Sequence, residues 1–157
     1  MARAKSFGSF AKKIADIDVK ENVAKNLRVY SLKLYSRIQQ YSPVDSGQFR
    51  FNNRLTIYNR TNQVSSNSSK SKNTSQAKSE TDRYKDISKP IYIQNNLPYA
   101  EVIEDGLYPK NPKKGSWNKK TKSHEIRSQN GYSKQATSGV YKVALEDVQF
   151  KPKSLLS

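Results

Sequence analysis

Ser42-Pro43-Val44-Asp45-Ser46-Gly47-Gln48-Phe49-Arg50 is the stretch at which one periodicity ends and another begins. Upstream of it, Val19, Val23, Leu27, Tyr30, Leu34, Ile38 and Tyr41 recur at steps of three and four, which places them on one face of a long helix. Proline has no amide hydrogen to donate and biases the residue before it away from helical geometry, so the helix is expected to stop at Ser42-Pro43. Downstream, Phe49, Phe51, Leu55 and Ile57, and later Ile91 and Ile93, alternate with polar residues as half-buried antiparallel strands do. Between the two patterns, Asp45 is placed to accept backbone amides and Gly47 to adopt a positive φ. Pro43, Asp45 and Gly47 thus read as a helix-to-strand turn.

Working outward, residues 1–16 read as an arm or short helix over Arg3 to Ala15, with Phe7, Phe10, Ala11 and Ile14 on one side and a neighbouring subunit as its docking site. Asp16 or Asp18 would then cap the long helix. Near the other end, Ala136, Val140, Tyr141, Ala144, Leu145 and Val148 form a second helical stripe that Pro152 stops, leaving 151–157 as a tail. The expected fold class is α+β: one domain over 1–157, with a long N-terminal helix and a C-terminal helix packed on a small antiparallel β-sheet, and long polar loops.

Two of those loops stand out. Residues 61–82 are rich in Ser, Asn and Lys, with Val64 and Ala77 as the only aliphatic residues, and read as a flexible polar insertion in the hairpin. Residues 107–130 carry Lys110, Lys113, Lys114, Lys119, Lys120, Lys122 and Arg127 against Glu125, punctuated by Pro109, Pro112 and Gly115, and read as a basic loop. No internal repeat links the two.

The chain has 29 Lys and Arg against 13 Asp and Glu, a formal net charge of +16, and 34% hydrophobic residues. Such a chain repels copies of itself unless anions or acidic surfaces intervene, so DNA or an acidic protein surface is the natural partner. The core is modest, and some burial is expected against other subunits. Cysteine is absent, which removes disulfides, thiolate metal sites and cysteine nucleophiles. No secretory signal pattern and no run of about 18 apolar residues is present, so no membrane association is expected.

Enzymatic chemistry finds no foothold. The single histidine, His124, lies in the basic loop without a second histidine to complete a metal site or a nucleophile to serve, and reads as a solvated loop residue. Glu101, Glu104 and Asp105 form the densest acidic cluster but lack a calcium-loop pattern; a turn, or an ion-pairing surface for lysines, is the better reading. The Ser-x-x-Lys spacings at Ser9 and Ser75 carry no companion motif, and no phosphate or dinucleotide loop occurs. No cofactor and no metal is expected.

The more specific signal is a pair of segments. One is the Ser42 to Arg50 stretch. The other is Asn95-Asn96-Leu97-Pro98-Tyr99-Ala100-Glu101-Val102-Ile103-Glu104-Asp105-Gly106. Together, in this order and flanked by a long helix before and a last helix after, they resemble the signatures of the bacteriophage tail-completion or neck (head-tail joining) family, of the type of the lambda minor tail protein Z and related tail components. The resemblance runs from about Val19 to Val148; the polar insertion and the lysine-rich loop depart from it.

That resemblance implies a structural virion protein: a ring at the neck of a long-tailed phage that completes the tail and joins it to the DNA-filled head, with nothing turned over. Its partners would be further copies of itself, head connector or adaptor proteins, and tail terminator or tail tube proteins. Six-fold tail symmetry favours a hexamer, with a dodecamer matching a connector as the alternative. Localisation would be the virion, and the host cytoplasm during assembly. Within such a ring, Tyr99, Glu101, Glu104 and Asp105 mark the expected subunit interface, with Tyr99 and Ala100 packing the segment onto the sheet and the three carboxylates facing basic residues of an adjacent copy; the lysines from Lys110 to Lys122 with Arg127 are expected to dock neighbouring proteins or line the DNA channel. The rival class is a non-specific nucleic-acid-binding protein, which the charge favours and the absence of any readout motif disfavours.

Overall fold

Pro43 and Gly47 set the chain reversal on which the fold is built. A computed structural model describes residues 4–148, with side chains from Ala15 onward. The first helix, α1 (Ala4–Tyr41), runs 38 residues without a break, about 57 Å at 1.5 Å per residue. The arm and the long helix expected separately are therefore one element. Asp16 and Asp18 lie inside it and cap nothing, because the stretch from Ala15 to Val19 holds neither proline nor glycine to interrupt the backbone ladder. At the far end Ser42 closes the helix: its amide and its hydroxyl both donate to the Ile38 carbonyl, at 3.0 and 2.6 Å.

Gly47 sits at φ 78°, and a side chain there would meet the backbone of Ser69 at 2.6 Å. This left-handed residue sends the chain into a short helix, α2 (Gln48–Asn52), begun by the Phe51 amide bonding the Gly47 carbonyl at 3.0 Å. Phe49 and Phe51 are thus helical, a correction to the strand expected there. Their spacing of two resembled strand alternation, but only Phe49 is buried. The strand begins later: β1 (Arg54–Ile57) pairs antiparallel with β2 (Ile91–Gln94), Leu55 opposite Ile93 and Ile57 opposite Ile91.

The segment joining β1 to β2 also differs from expectation. Its polar residues are held across the body and end in a helix, α3 (Ser75–Asp82), in which Ala77 and Thr81 are fully buried against β1 and α1. Side-chain amides do the holding. Asn52 donates to the Ser65 carbonyl at 3.0 Å and accepts its amide at 2.7 Å, and Gln76 donates to the Leu55 carbonyl at 2.8 Å. Composition alone counts apolar area and so misses a segment secured by hydrogen bonds.

After β2 the chain forms α4 (Ala100–Glu104), an antiparallel hairpin of β3 (Ser116–Asn118) and β4 (Ser123–Glu125), a second small ladder of β5 (Ser128–Gln129) with β6 (Tyr132–Ser133), and α5 (Tyr141–Asp147). The basic loop is therefore partly a hairpin. The architecture is mixed α+β, with a long N-terminal helix, a C-terminal helix and three separate two-stranded antiparallel ladders. Pro152 and the 151–157 tail lie outside the described residues.

Two apolar clusters share α1. Ile38, Phe49, Leu97, Ile103, Ala136, Val140 and Ala144 gather where α2, α4 and α5 meet its C-terminal end. Ala24, Tyr35, Leu55, Ile57, Ala77 and Tyr84 gather along its middle, with Ile93 packing on both. The buried face of α1 thus runs Ala24, Ser31, Tyr35, Ile38, Gln39, rotated from the stripe read in the sequence. Of that stripe only Ile38 is buried; Leu27, Tyr30, Leu34 and Tyr41 are half-buried, and Val19 and Val23 are exposed. From Ala15 to Val23 every side chain is exposed.

The packing of α3 is checked by Ala77→Leu. Forcing extra methylenes into a filled site should cost about 1–3 kcal/mol in urea unfolding, whereas a loosely attached insertion would absorb the change without loss.

Candidate functional site

The two sequence motifs meet at a buried amide that neither contains. Asn53, which follows α2, is 2% exposed. Its side-chain nitrogen donates to Ser42 Oγ at 2.7 Å, and its side-chain oxygen accepts from Asn95 Nδ2 at 2.9 Å and from the Tyr141 hydroxyl at 2.8 Å. Its carbonyl accepts from the Tyr35 hydroxyl at 2.8 Å, and Gln39 in turn donates to that hydroxyl at 3.1 Å. Asn95 also donates to the Phe49 carbonyl at 2.9 Å. One residue therefore ties the end of α1, the start of the second motif and α5. The sequence signal was Asn53 itself, a polar residue where the alternation of Phe49, Phe51, Leu55 and Ile57 calls for an apolar one.

Burial raises the Tyr35 and Tyr141 hydroxyls above their ordinary ionisation range; for Tyr141, loss of solvent is the largest cause, with Tyr35 and Glu104 adding to it. Both phenols are held neutral as donors.

Glu104 was expected at a subunit boundary, but its carboxylate is engaged within the chain. It accepts the backbone amides of Val140 and Tyr141 on Oε2, at 2.8 and 2.9 Å, and of Lys142 on Oε1, at 2.9 Å. These are amides that the first turn of α5 leaves without helical partners, so a carboxylate from α4 caps α5. Gly139, at φ 84°, permits the approach: a side chain there would meet the Glu104 carbonyl oxygen at 2.7 Å. Tyr99 also faces inward, half-buried beside Phe49 and Ile103, with its hydroxyl 3.3 Å from Gln48 Oε1. Glu101 and Asp105 are exposed, so of the four residues assigned to an interface these two remain on the surface.

Pro43 is buried at the helix stop and Gly47 has the positive φ that the turn requires. Asp45 differs from expectation: its carboxylate pairs with the guanidinium of Arg127, and it is Ser46 that accepts the Gln48 amide, at 3.2 Å. The Val44 amide bonds Gln135 at 2.7 Å, so the turn is fastened to the segment that follows the basic hairpin. Between them lies an open cleft of about 950 Å³, floored by Phe49, Tyr99, Ile103 and Tyr108 and rimmed by Asp45, Glu125 and Arg127. The carboxylates that reach it are occupied. Glu125 accepts from Thr121 at 2.6 Å and from Asn118 at 2.7 Å, bonds that hold its carboxyl below the usual range.

The six lysines of the basic segment do not converge on the cleft as a group. Lys110, Lys113, Lys114, Lys119, Lys120 and Lys122 are all exposed, the last three at the turn of the β3–β4 hairpin, and none joins an ion pair among the described residues. Lys114 lies at the cleft's edge, and Arg127 is half-buried there. Among the described residues no three His, Asp or Glu side chains gather as metal ligands, and no helix is long and apolar enough to cross a membrane. Comparison with family models, with curated proteins and with solved structures finds no match.

Two measurements check this arrangement. Glu104→Ala should lower unfolding free energy by about 1–3 kcal/mol through the uncapped amides; a residue acting only between subunits would leave the monomer's stability unchanged. The buried tyrosines set an alkaline limit. Their folded values lie above the ordinary 10.0, so their contribution is complete below that pH and is lost as pH rises through it toward the folded values. The denaturation midpoint should therefore fall above about pH 10, and Tyr141→Phe should blunt the fall.

Proposed function

We propose that this protein is a structural component of the neck of a long-tailed bacteriophage, forming a ring at the head-tail junction that completes the tail and joins it to the DNA-filled head. The setting comes from the resemblance of the Ser42 to Arg50 and Asn95 to Gly106 segments to tail-completion proteins. The observation that carries the assembly reading is an apolar pair left exposed on α1: Val19, at 61%, and Val23, at 37%, continue the helical spacing of Leu27 and Leu34 beyond the point where those two pack on the core. Apolar side chains left exposed by the described residues are suited to a second surface. When that surface is a different face of an identical neighbour, the contact is heterologous and repeats around an axis into a ring.

In this reading the chain carries out mechanical work only. The helical face makes the ring, and the exposed Glu101 and Asp105 are available to basic residues of an adjacent copy. Lys110, Lys113 and Lys114, exposed ahead of the β3–β4 hairpin, meet the head connector or adaptor, or the tail terminator or tube. The site of action is the virion neck, after assembly in the host cytoplasm.

Sedimentation velocity tests the assembly step. The purified chain should run as a closed oligomer, with six copies favoured and twelve the alternative. Val19→Asp with Val23→Asp should yield monomers of unchanged circular dichroism, since exposed substitutions cost within about 0.5 kcal/mol of fold stability. A wild-type monomer at micromolar concentration would count against a self-assembling ring.

A further inference from the structure

Beyond the joining role, we infer that the β3–β4 hairpin is a nucleic-acid contact, in which phosphates of a strand lie along Lys119, Lys120 and Lys122 while a base or sugar packs on the Trp117–His124 pair. In this hairpin Trp117 stands directly opposite His124, with ring centroids 5.1 Å apart and planes 66° to one another. Ser116, Asn118 and Glu125, at the alternate positions, line the cleft, so the two rings face away from it. Trp117 is 54% exposed, with His124 against one edge of its ring.

Isolated exposed apolar residues are ordinary. This one differs in its company: the three turn lysines are exposed and join no ion pair among the described residues, and the carboxylate of the hairpin, Glu125, is occupied by Thr121 and Asn118. The hairpin therefore presents uncompensated positive charge next to an aromatic platform. That combination suits a polyanion whose monomers also carry flat apolar faces. Lysines neutralise phosphates without reading sequence, and an aromatic ring stacks on any base. An acidic protein surface would use the lysines and leave the ring pair unemployed, which favours nucleic acid.

The chain holds one tryptophan, so its fluorescence reports on this hairpin alone. The full-length protein is titrated with a dT20 oligonucleotide and with a 20-base-pair duplex, and with poly-L-glutamate as the acidic polypeptide. Quenching by the oligonucleotides is expected, with affinity falling roughly twenty- to fortyfold between 50 and 200 mM salt. Lys119→Gln with Lys120→Gln and Lys122→Gln should reduce the salt slope by about 2. By anisotropy of a labelled oligonucleotide, Trp117→Leu should weaken binding several-fold at unchanged slope. Quenching by poly-L-glutamate of equal strength would overturn the inference in favour of an acidic protein partner. Oligonucleotide binding that neither variant alters would overturn it in favour of another surface. The Val19→Asp, Val23→Asp protein should still be quenched, because the hairpin acts within one subunit; failure of ring assembly and failure of this contact are therefore separate results.

Discussion

The amide of Asn53 satisfies three side-chain partners and its carbonyl a fourth, all in a nearly water-free position, and the rest of the structure is arranged around that requirement. A buried amide costs little when every bond is made and several kilocalories per mole when one is lost. Ser42 can reach it only because α1 stops at Pro43; Asn95 only because β2 ends where it does; Tyr141 only because Glu104 and Gly139 fix the start of α5. The two motifs are therefore halves of one joint, and the apolar clusters on either side of it are held in register by polar geometry that a uniformly greasy core would not supply.

A scaffold fixed in this way leaves two features unspent on its own stability. One is the stretch of α1 from Ala15 to Val23, where every side chain is exposed. The other is the β3–β4 hairpin, anchored at its base by the Asp45–Arg127 pair and carrying its lysines and its aromatic pair outward. The first suits contact with an identical chain and the second suits a polyanion. A neck ring needs both: cohesion among its subunits, and tolerance of the DNA that passes through it.

Much of this was legible in the sequence wherever a covalent constraint dictated the outcome. Pro43 announced the helix stop and Gly47 the left-handed turn, and the α+β class followed from the change of period between them. The sequence was misleading where two physical causes give the same pattern. Phe49 and Phe51 alternate as in a strand, yet the turn delivers them into a helix. The stripe from Val19 to Tyr41 lies on one face of α1, whereas the buried face is rotated from it and includes Ser31 and Gln39, polar residues that a hydrophobic pattern discards. Glu104 looked like surface charge because its partners are backbone amides 36 residues away or more, and amides leave no mark on a sequence. The 61–82 segment was underestimated for the same reason.

A density map of the intact virion, with this chain identified and counted, addresses the joining role most directly. The account predicts a single closed ring between the head connector and the tail, with α1 of each copy against its neighbour and the β3–β4 hairpins turned toward the DNA. A virion that lacks the chain, or that carries it dispersed along the genome, would contradict it.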